Sequence, residues 1–97
     1  MSKTQWTLYV VECADESLYT GITTDVERRV REHNESDRGA RYTRARRPVE
    51  LVASWRCADR SEAARAEYAF KQLRRPQKLR LLNGGDIFEL ISTTEHS

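Results

Sequence analysis

The chain has 97 residues, 33% of them charged and 38% hydrophobic, with a formal net charge of +2. That length holds one domain and excludes a second independent core, and roughly 60–68% of the unfolded surface can be buried without staples. No apolar run approaches the ~18 residues of a membrane span, and the opening MSKTQW lacks the apolar stretch of a signal peptide, so a cytoplasmic protein with no membrane partner is expected.

Residues 6–13, WTLYVVEC, are rich in β-branched and aromatic types and predict a strand. ADES at 14–17 is a polar turn, and residues 18–23 form the second strand of a hairpin. Thr24, followed by Glu27, has the form of a capping box, so a helix should start near Asp25 and run to about Asn34. The arginine-rich loop that follows is long for so small a domain, which points to function. Pro48 opens a third strand. There Val49, Leu51, Ala53, Trp55 and Cys57 alternate with Glu50, Ser54 and Arg56, a period of two interrupted only at Val52. One face of that strand should therefore be buried.

Asp59 or Ser61 can cap a helix over the alanine-rich SEAARAEYAFKQL. Pro76 ends it and suits the first turn of another, PQKLRLLN, which stops at Gly84-Gly85. In the last dozen residues, Ile87, Phe88, Leu90 and Ile91 could dock as a short helix, with a polar end that frays. The division is a domain over 1–83 and a tail over 84–97, partly docked or disordered. The order β-β-α-β-α-α predicts a small α/β (α+β) domain, a three-stranded antiparallel sheet flanked by helices. Cys13 and Cys57 are 44 positions apart and outside any CxxC or Cys/His cluster. They read as reduced, buried thiols rather than a redox pair or a zinc site.

Helical geometry separates Arg28 from Arg29. At about 100° per residue, Val26 and Val30 define the buried stripe, and His33 lies about 20° from Val26. Arg29 lies about 60° to one side of Val26, and Arg28, about 200° round, faces solvent. Arg29 and His33 thus form a polar pair on the margin of an apolar face. On the later helix Ala63, Ala66, Ala69, Phe70 and Leu73 make the buried arc, with Glu67 at its edge. Tyr9 and Tyr19 share a sheet face only if the hairpin loop has an odd count, three or five residues. Two tracts carry no acid: Arg38, Arg41, Arg44, Arg46 and Arg47 with Tyr42 among them, and Lys71, Arg74, Arg75, Lys78 and Arg80. On a near-neutral chain they suggest a face for nucleic-acid phosphates, against the plainer reading of a solvated surface.

Taken together, these residues resemble the GIY-YIG nuclease superfamily. Its first motif falls on Thr7-Leu8-Tyr9 and its second on Tyr19-Thr20-Gly21, the tyrosines ten apart. The family's helix arginine, ten after the second tyrosine, lands on Arg29, with His33 one turn later, and its metal-binding glutamate fits Glu67. The likeness spans about residues 6–83 and is nearest to the small standalone bacterial and archaeal members. Thr7 and Leu8 replace the first glycine and isoleucine, and Ile22 stands where several members carry a lysine.

The resemblance implies a metal-dependent nuclease acting on nucleic acid, with DNA ranked ahead of RNA. Glu67 would hold a single Mg²⁺ or Mn²⁺, and Arg29 would present its fork to the phosphate. Tyr9 would position or deprotonate the water, with Tyr19 and His33 in the proton network. An arginine and a metal nearby would lower the phenol pKa. Gly21 is the structural turn that lets backbone or substrate come close. The binding surface would comprise Arg38, Arg41, Tyr42, Arg44, Arg46, Arg47, Lys71, Arg74 and Arg75. A nucleic-acid-binding module with little turnover and a protein-interaction domain are the alternatives.

Overall fold

The computed structural model describes residues 5–89. Its elements are β1 (Trp6–Glu12), β2 (Leu18–Thr23), α1 (Val26–Glu35), α2 (Arg41–Arg44), β3 (Glu50–Cys57), α3 (Arg60–Gln72) and α4 (Arg75–Leu82). The strands form one antiparallel sheet in the order β2-β1-β3, as the α+β reading requires.

The central strand β1 alternates between two cores, because successive side chains leave a strand on opposite faces. Leu8 and Val10 join Cys57, Ala63, Ala66, Phe70 and Ile87 in a cluster beneath α3, with Leu81 and Leu82 of α4 packed against it. Tyr9 and Val11 join Cys13 and Val49 on the other face, with Val26 and Val30 of α1 against them. Both cysteines are free and buried, one in each cluster, so they pack as small hydrophobes. The molecule is therefore a helix–sheet–helix sandwich around β1. Among the described residues no helix is long and apolar enough to cross a membrane.

The hairpin has the odd count needed to bring the tyrosines together. Glu12 pairs with Leu18 across the five residues 13–17, and Tyr9 faces Gly21 while Val11 faces Tyr19. The break in periodicity at Val52 is a β-bulge. Val10 pairs with Ala53 but Val11 pairs with Leu51, so Val52 is an extra residue. The single buried face expected along β3 is corrected accordingly: Ala53, Trp55 and Cys57 lie on the α3 side, while Leu51 turns to the other face and is 42% exposed.

Other local expectations shift by small amounts. Asp25, not Thr24, caps α1: its Oδ1 accepts from the Arg28 N–H at 3.1 Å. Asp59 caps α3, accepting from the Glu62 N–H at 2.8 Å. The stretch read as loop contains the short helix α2, with Ala40 as its N-cap. After Gly84 (φ +107) a helical turn begins at Ile87, which is fully buried. Trp55 Nε1 donates to the Gly85 carbonyl at 3.3 Å across this junction. Leu90 and Ile91 lie outside the described residues.

Candidate active site

Gly21 explains how β1 and β2 create a site. A Cβ built on it would stand 2.7 Å from the Tyr9 hydroxyl oxygen, so only glycine lets the Tyr9 ring lie across its partner strand. There the Tyr9 hydroxyl meets α1, whose His33 Nε2 is 2.7 Å away. His33 was expected on the margin of the helix; it is instead 0% exposed and is the one residue of α1 that is fully buried. The Val stripe is only half-buried, because a glycine on β2 and a tyrosine on β1 leave depth for an imidazole rather than for an aliphatic chain.

The proton on that imidazole can be assigned from its partners. The Ala40 backbone N–H donates to His33 Nδ1 at 3.2 Å, and an amide has no alternative role. Nδ1 is therefore the acceptor, and the neutral ring carries its hydrogen on Nε2, directed at Tyr9. Thr43 Oγ1 stands 3.0 Å from Nδ1 and donates to the Ala40 carbonyl at 2.8 Å. Burial, reinforced by the charges of Arg29 and Arg47, pulls the His33 pKa down to about 4, so the ring is neutral at physiological pH.

At Tyr9 the Arg29 guanidinium lowers the phenol pKa, as expected of a neighbouring cation, but a larger influence opposes it. The Tyr9 pKa is pushed up to about 12, because burial outweighs the guanidinium beside it. The charges of Tyr19 and Glu67 add to the rise. Tyr9 is therefore a protonated phenol whose oxygen accepts from His33.

Arg29 is held in place by its own helix and the following loop. Its Nη1 bonds Glu32 Oε1 at 3.0 Å and the Arg38 carbonyl at 2.7 Å. That leaves the other N–H groups of the guanidinium for Tyr9 and a phosphate. Arg28 faces solvent, as the helical geometry predicts.

Tyr19, the second motif tyrosine, packs edge-on against His33 with ring centroids 5.3 Å apart. It stacks with Tyr42 at 5.9 Å. Arg46 in turn lies over the Tyr42 ring, its Cζ 3.8 Å from the centroid. Five sequence-predicted residues, Tyr9, Tyr19, Arg29, His33 and Tyr42, thus meet at one place.

Glu67 comes from α3, beneath the other face of the sheet, yet its charge is felt at Tyr9. Its Oε2 pairs with Lys71 Nζ at 3.1 Å, so Lys71 is engaged within the helix. Among the described residues no group of three or more His, Cys, Asp or Glu side chains is placed to hold a metal. One carboxylate does not suit zinc. It fits a hard divalent cation that carries most of its shell as water and substrate phosphate.

The basic tracts are not uniform. Arg47 is structural: its Nε donates to the His33 carbonyl at 2.5 Å and its Nη2 to the Ser36 carbonyl at 2.7 Å, closing the end of α1. Arg46 is pinned to Asp15 Oδ2 at 3.0 Å, and Arg75 donates to the Glu16 carbonyl at 3.1 Å. The side chains of Arg38, Arg41, Arg44 and Arg74 are exposed.

Thr43, Ala40, Asn34 and Gly39 escaped the sequence reading. Asn34 clasps Val49, accepting from its N–H at 2.7 Å and donating to its carbonyl at 3.0 Å. A Cβ on Gly39 would stand 2.5 Å from the Glu32 carbonyl oxygen, so the loop needs glycine to close against α1. An asparagine near a helix end and a glycine in an arginine-rich loop were the available signals; Thr43 offered none.

Comparison with known proteins agrees with this geometry. The family model described as the GIY-YIG catalytic domain matches residues 5–80. The chain is 56% identical over 81 residues to the UPF0213 protein DP2720 of Desulfotalea psychrophila, covering 84% of this chain and 74% of the relative. It is 48% identical over 93 residues to the UPF0213 protein YhbQ of Escherichia coli, covering 95% and 92%. Among solved structures it resembles the solution NMR structure of the UPF0213 protein BH0048 from Bacillus halodurans, at 45% identity and TM-score 0.55. That match covers 89% of this chain and 92% of the other. A family match over nearly the whole described chain and close relatives over most of their lengths lead to one conclusion: this chain belongs to the GIY-YIG family, among its small UPF0213 members.

Proposed function

We propose that this protein is a metal-dependent endonuclease that hydrolyses phosphodiester bonds of nucleic acid. The observation that carries the reading is the Tyr9 hydroxyl, buried against Gly21, 2.7 Å from His33 Nε2 and beside the Arg29 guanidinium. A packing tyrosine needs none of these neighbours.

Each residue then has a task. Arg29 receives the phosphate and stabilises the charge that develops on its oxygens. Tyr9 orients the attacking water. Because its oxygen already accepts the His33 Nε2–H, its own hydrogen is left for a third group. His33 acts as a fixed donor that steadies negative charge on the Tyr9 oxygen, and it is not the base that takes the Tyr9 proton. Cancelling the Glu67 charge removes one of the influences that keep Tyr9 protonated. Glu67 is the residue to hold Mg²⁺ or Mn²⁺, which supplies Lewis-acid polarisation of the phosphate. The exposed guanidinium groups of Arg38, Arg41 and Arg44 supply phosphate contacts along the strand.

The ion pair of Glu67 with Lys71 favours a second reading, a nucleic-acid-binding module without turnover, because the ammonium already answers the carboxylate. The two readings separate in one assay with Mg²⁺ or Mn²⁺ and a panel of single-stranded, duplex, flapped and RNA substrates. Cleavage by the wild type that is lost in Glu67→Ala and in Arg29→Ala, with binding retained, supports the nuclease. Binding without cleavage in the wild type supports the module. Cleavage that persists in Glu67→Ala removes Glu67 as the metal ligand.

A further inference from the structure

The aromatic contacts do not stop at the candidate site; they continue outward to solvent. From the Tyr9 hydroxyl the sequence of contacts is His33, Tyr19, Tyr42 and then the Arg46 guanidinium. The Arg46 Cζ lies 3.8 Å from the Tyr42 ring centroid, and the Tyr19 ring stacks on Tyr42 with centroids 5.9 Å apart. Tyr42 nevertheless remains 39% exposed.

What Arg46 offers to a ligand follows from its bonds. Its Nε is held by Asp15 Oδ2 at 3.0 Å and its Nη1 by the Tyr42 carbonyl at 3.0 Å. Two of its five N–H donors are thus taken, and the Asp15 carboxylate offsets part of its charge, so the group is fixed in orientation rather than free to swing onto a phosphate. A half-exposed, flat, delocalised plane remains, pinned in orientation and backed by an aromatic ring. Such planes stack on nucleobases of any identity. In a duplex the base faces are covered by neighbouring pairs, so only an unpaired base can present one.

We propose that the Tyr19–Tyr42–Arg46 stack is a nucleobase-stacking subsite that takes an unpaired nucleotide of a single-stranded segment. Its position next to the scissile phosphate rests on the nuclease reading above; the stacking itself does not. Arg46 is therefore reassigned from phosphate contact to base contact, while Arg38, Arg41 and Arg44 keep the phosphate role.

The test is equilibrium binding in EDTA, where metal-dependent cleavage is silent. The probes are single strands about 12 nucleotides long, in DNA and RNA versions, with one 2-aminopurine moved along the strand, and the same strands annealed to complements. Wild-type protein should bind the single strand more tightly than the duplex and quench 2-aminopurine at one position. Arg46→Lys keeps the charge but removes the plane. It and Tyr42→Leu should lose the quench and weaken single-strand binding roughly 5- to 100-fold, with duplex binding within about twofold of wild type. An abasic nucleotide at the quenched position should weaken wild type by the same factor and Arg46→Lys no further. Quenching with DNA, RNA or both assigns the kind of strand.

Absence of quenching at every position overturns the proposal. So does a parallel loss of single-strand and duplex affinity in a folded Arg46→Lys variant, which would make Arg46 a phosphate contact. Quenching without any cleavage in either Mg²⁺ or Mn²⁺ would remove the nuclease reading and leave the subsite. Cleavage without quenching would do the reverse.

Discussion

His33 is neutral for a reason that also makes it a liability in acid. Burial holds its pKa at about 4 in the folded chain, against 6.5 for the unfolded one. Above pH 6.5 both states are neutral and nothing is lost. As pH falls from 6.5 towards 4 the unfolded chain binds a proton that the folded chain refuses, so stability declines across that window. The loss from this residue amounts to roughly 3 kcal/mol and stops once the folded state is also protonated. Denaturant unfolding of wild type and His33→Asn between pH 7 and pH 4 checks this. The wild type should lose stability more steeply, and parallel slopes would contradict the assignment. Gly21 is the second residue whose role is sharply defined. In Gly21→Ala the new Cβ must displace a buried Tyr9 hydroxyl and with it the 2.7 Å bond to His33 Nε2. Calorimetry should show a cost of about 1–3 kcal/mol, and cleavage should fall together with it.

At the scale of elements, α1 carries both Arg29 and His33, so its ends determine where the site stands. Asp25 fixes the start, and Arg47 fixes the finish by donating to the His33, Glu32 and Ser36 carbonyls. Charge-assisted bonds of this kind contribute about 1.5–3 kcal/mol each when their loss leaves a partly buried carbonyl without a donor. The Glu32 and Ser36 carbonyls also accept the Ser36 and Gly39 N–H groups, so Arg47→Ala deprives chiefly the His33 carbonyl. It should lower stability by about 1.5–3 kcal/mol, read as a fall in melting temperature, whereas the exposed Arg44→Ala should stay within about 0.5 kcal/mol. Equal effects would show that Arg47 is no different from the other arginines. In sequence the two look alike, since both sit in RARR. The bulge at Val52 teaches the same lesson from the opposite side. There the interruption of an alternating pattern was visible, and the register of β1 against β3 gave it a physical meaning.

For the whole molecule, the hairpin turn at 13–17 is a meeting point. Arg46 reaches Asp15 and Arg75 reaches the Glu16 carbonyl, so the two basic tracts approach the same turn. In the proposed function the exposed Arg41 and Arg44 of α2 are phosphate contacts. Each phosphate contact on a single strand adds about 0.7 to the slope of log affinity against log salt. Replacing both arginines with alanine should flatten that slope by roughly 1.4, measured by fluorescence anisotropy across a salt titration. An unchanged slope would remove Arg41 and Arg44 as phosphate contacts.

The elements themselves were legible because they depend on local rules: alternation for strands, a capping carboxylate and apolar spacing for helices, proline and glycine for boundaries. Those rules also placed Arg29 and His33 on the same side of α1, and the parity of the hairpin loop allowed Tyr9 and Tyr19 to share a face. The depth of His33, the direction of its proton and the raised pKa of Tyr9 were decided only in the folded chain. They depend on Ala40 and Thr43 lying against α1 and on how far water is excluded from the sheet. Sequence spacing carries the direction of a side chain along its own element. It does not carry the partners and the dielectric that other elements bring to it, and for this protein those determine the chemistry.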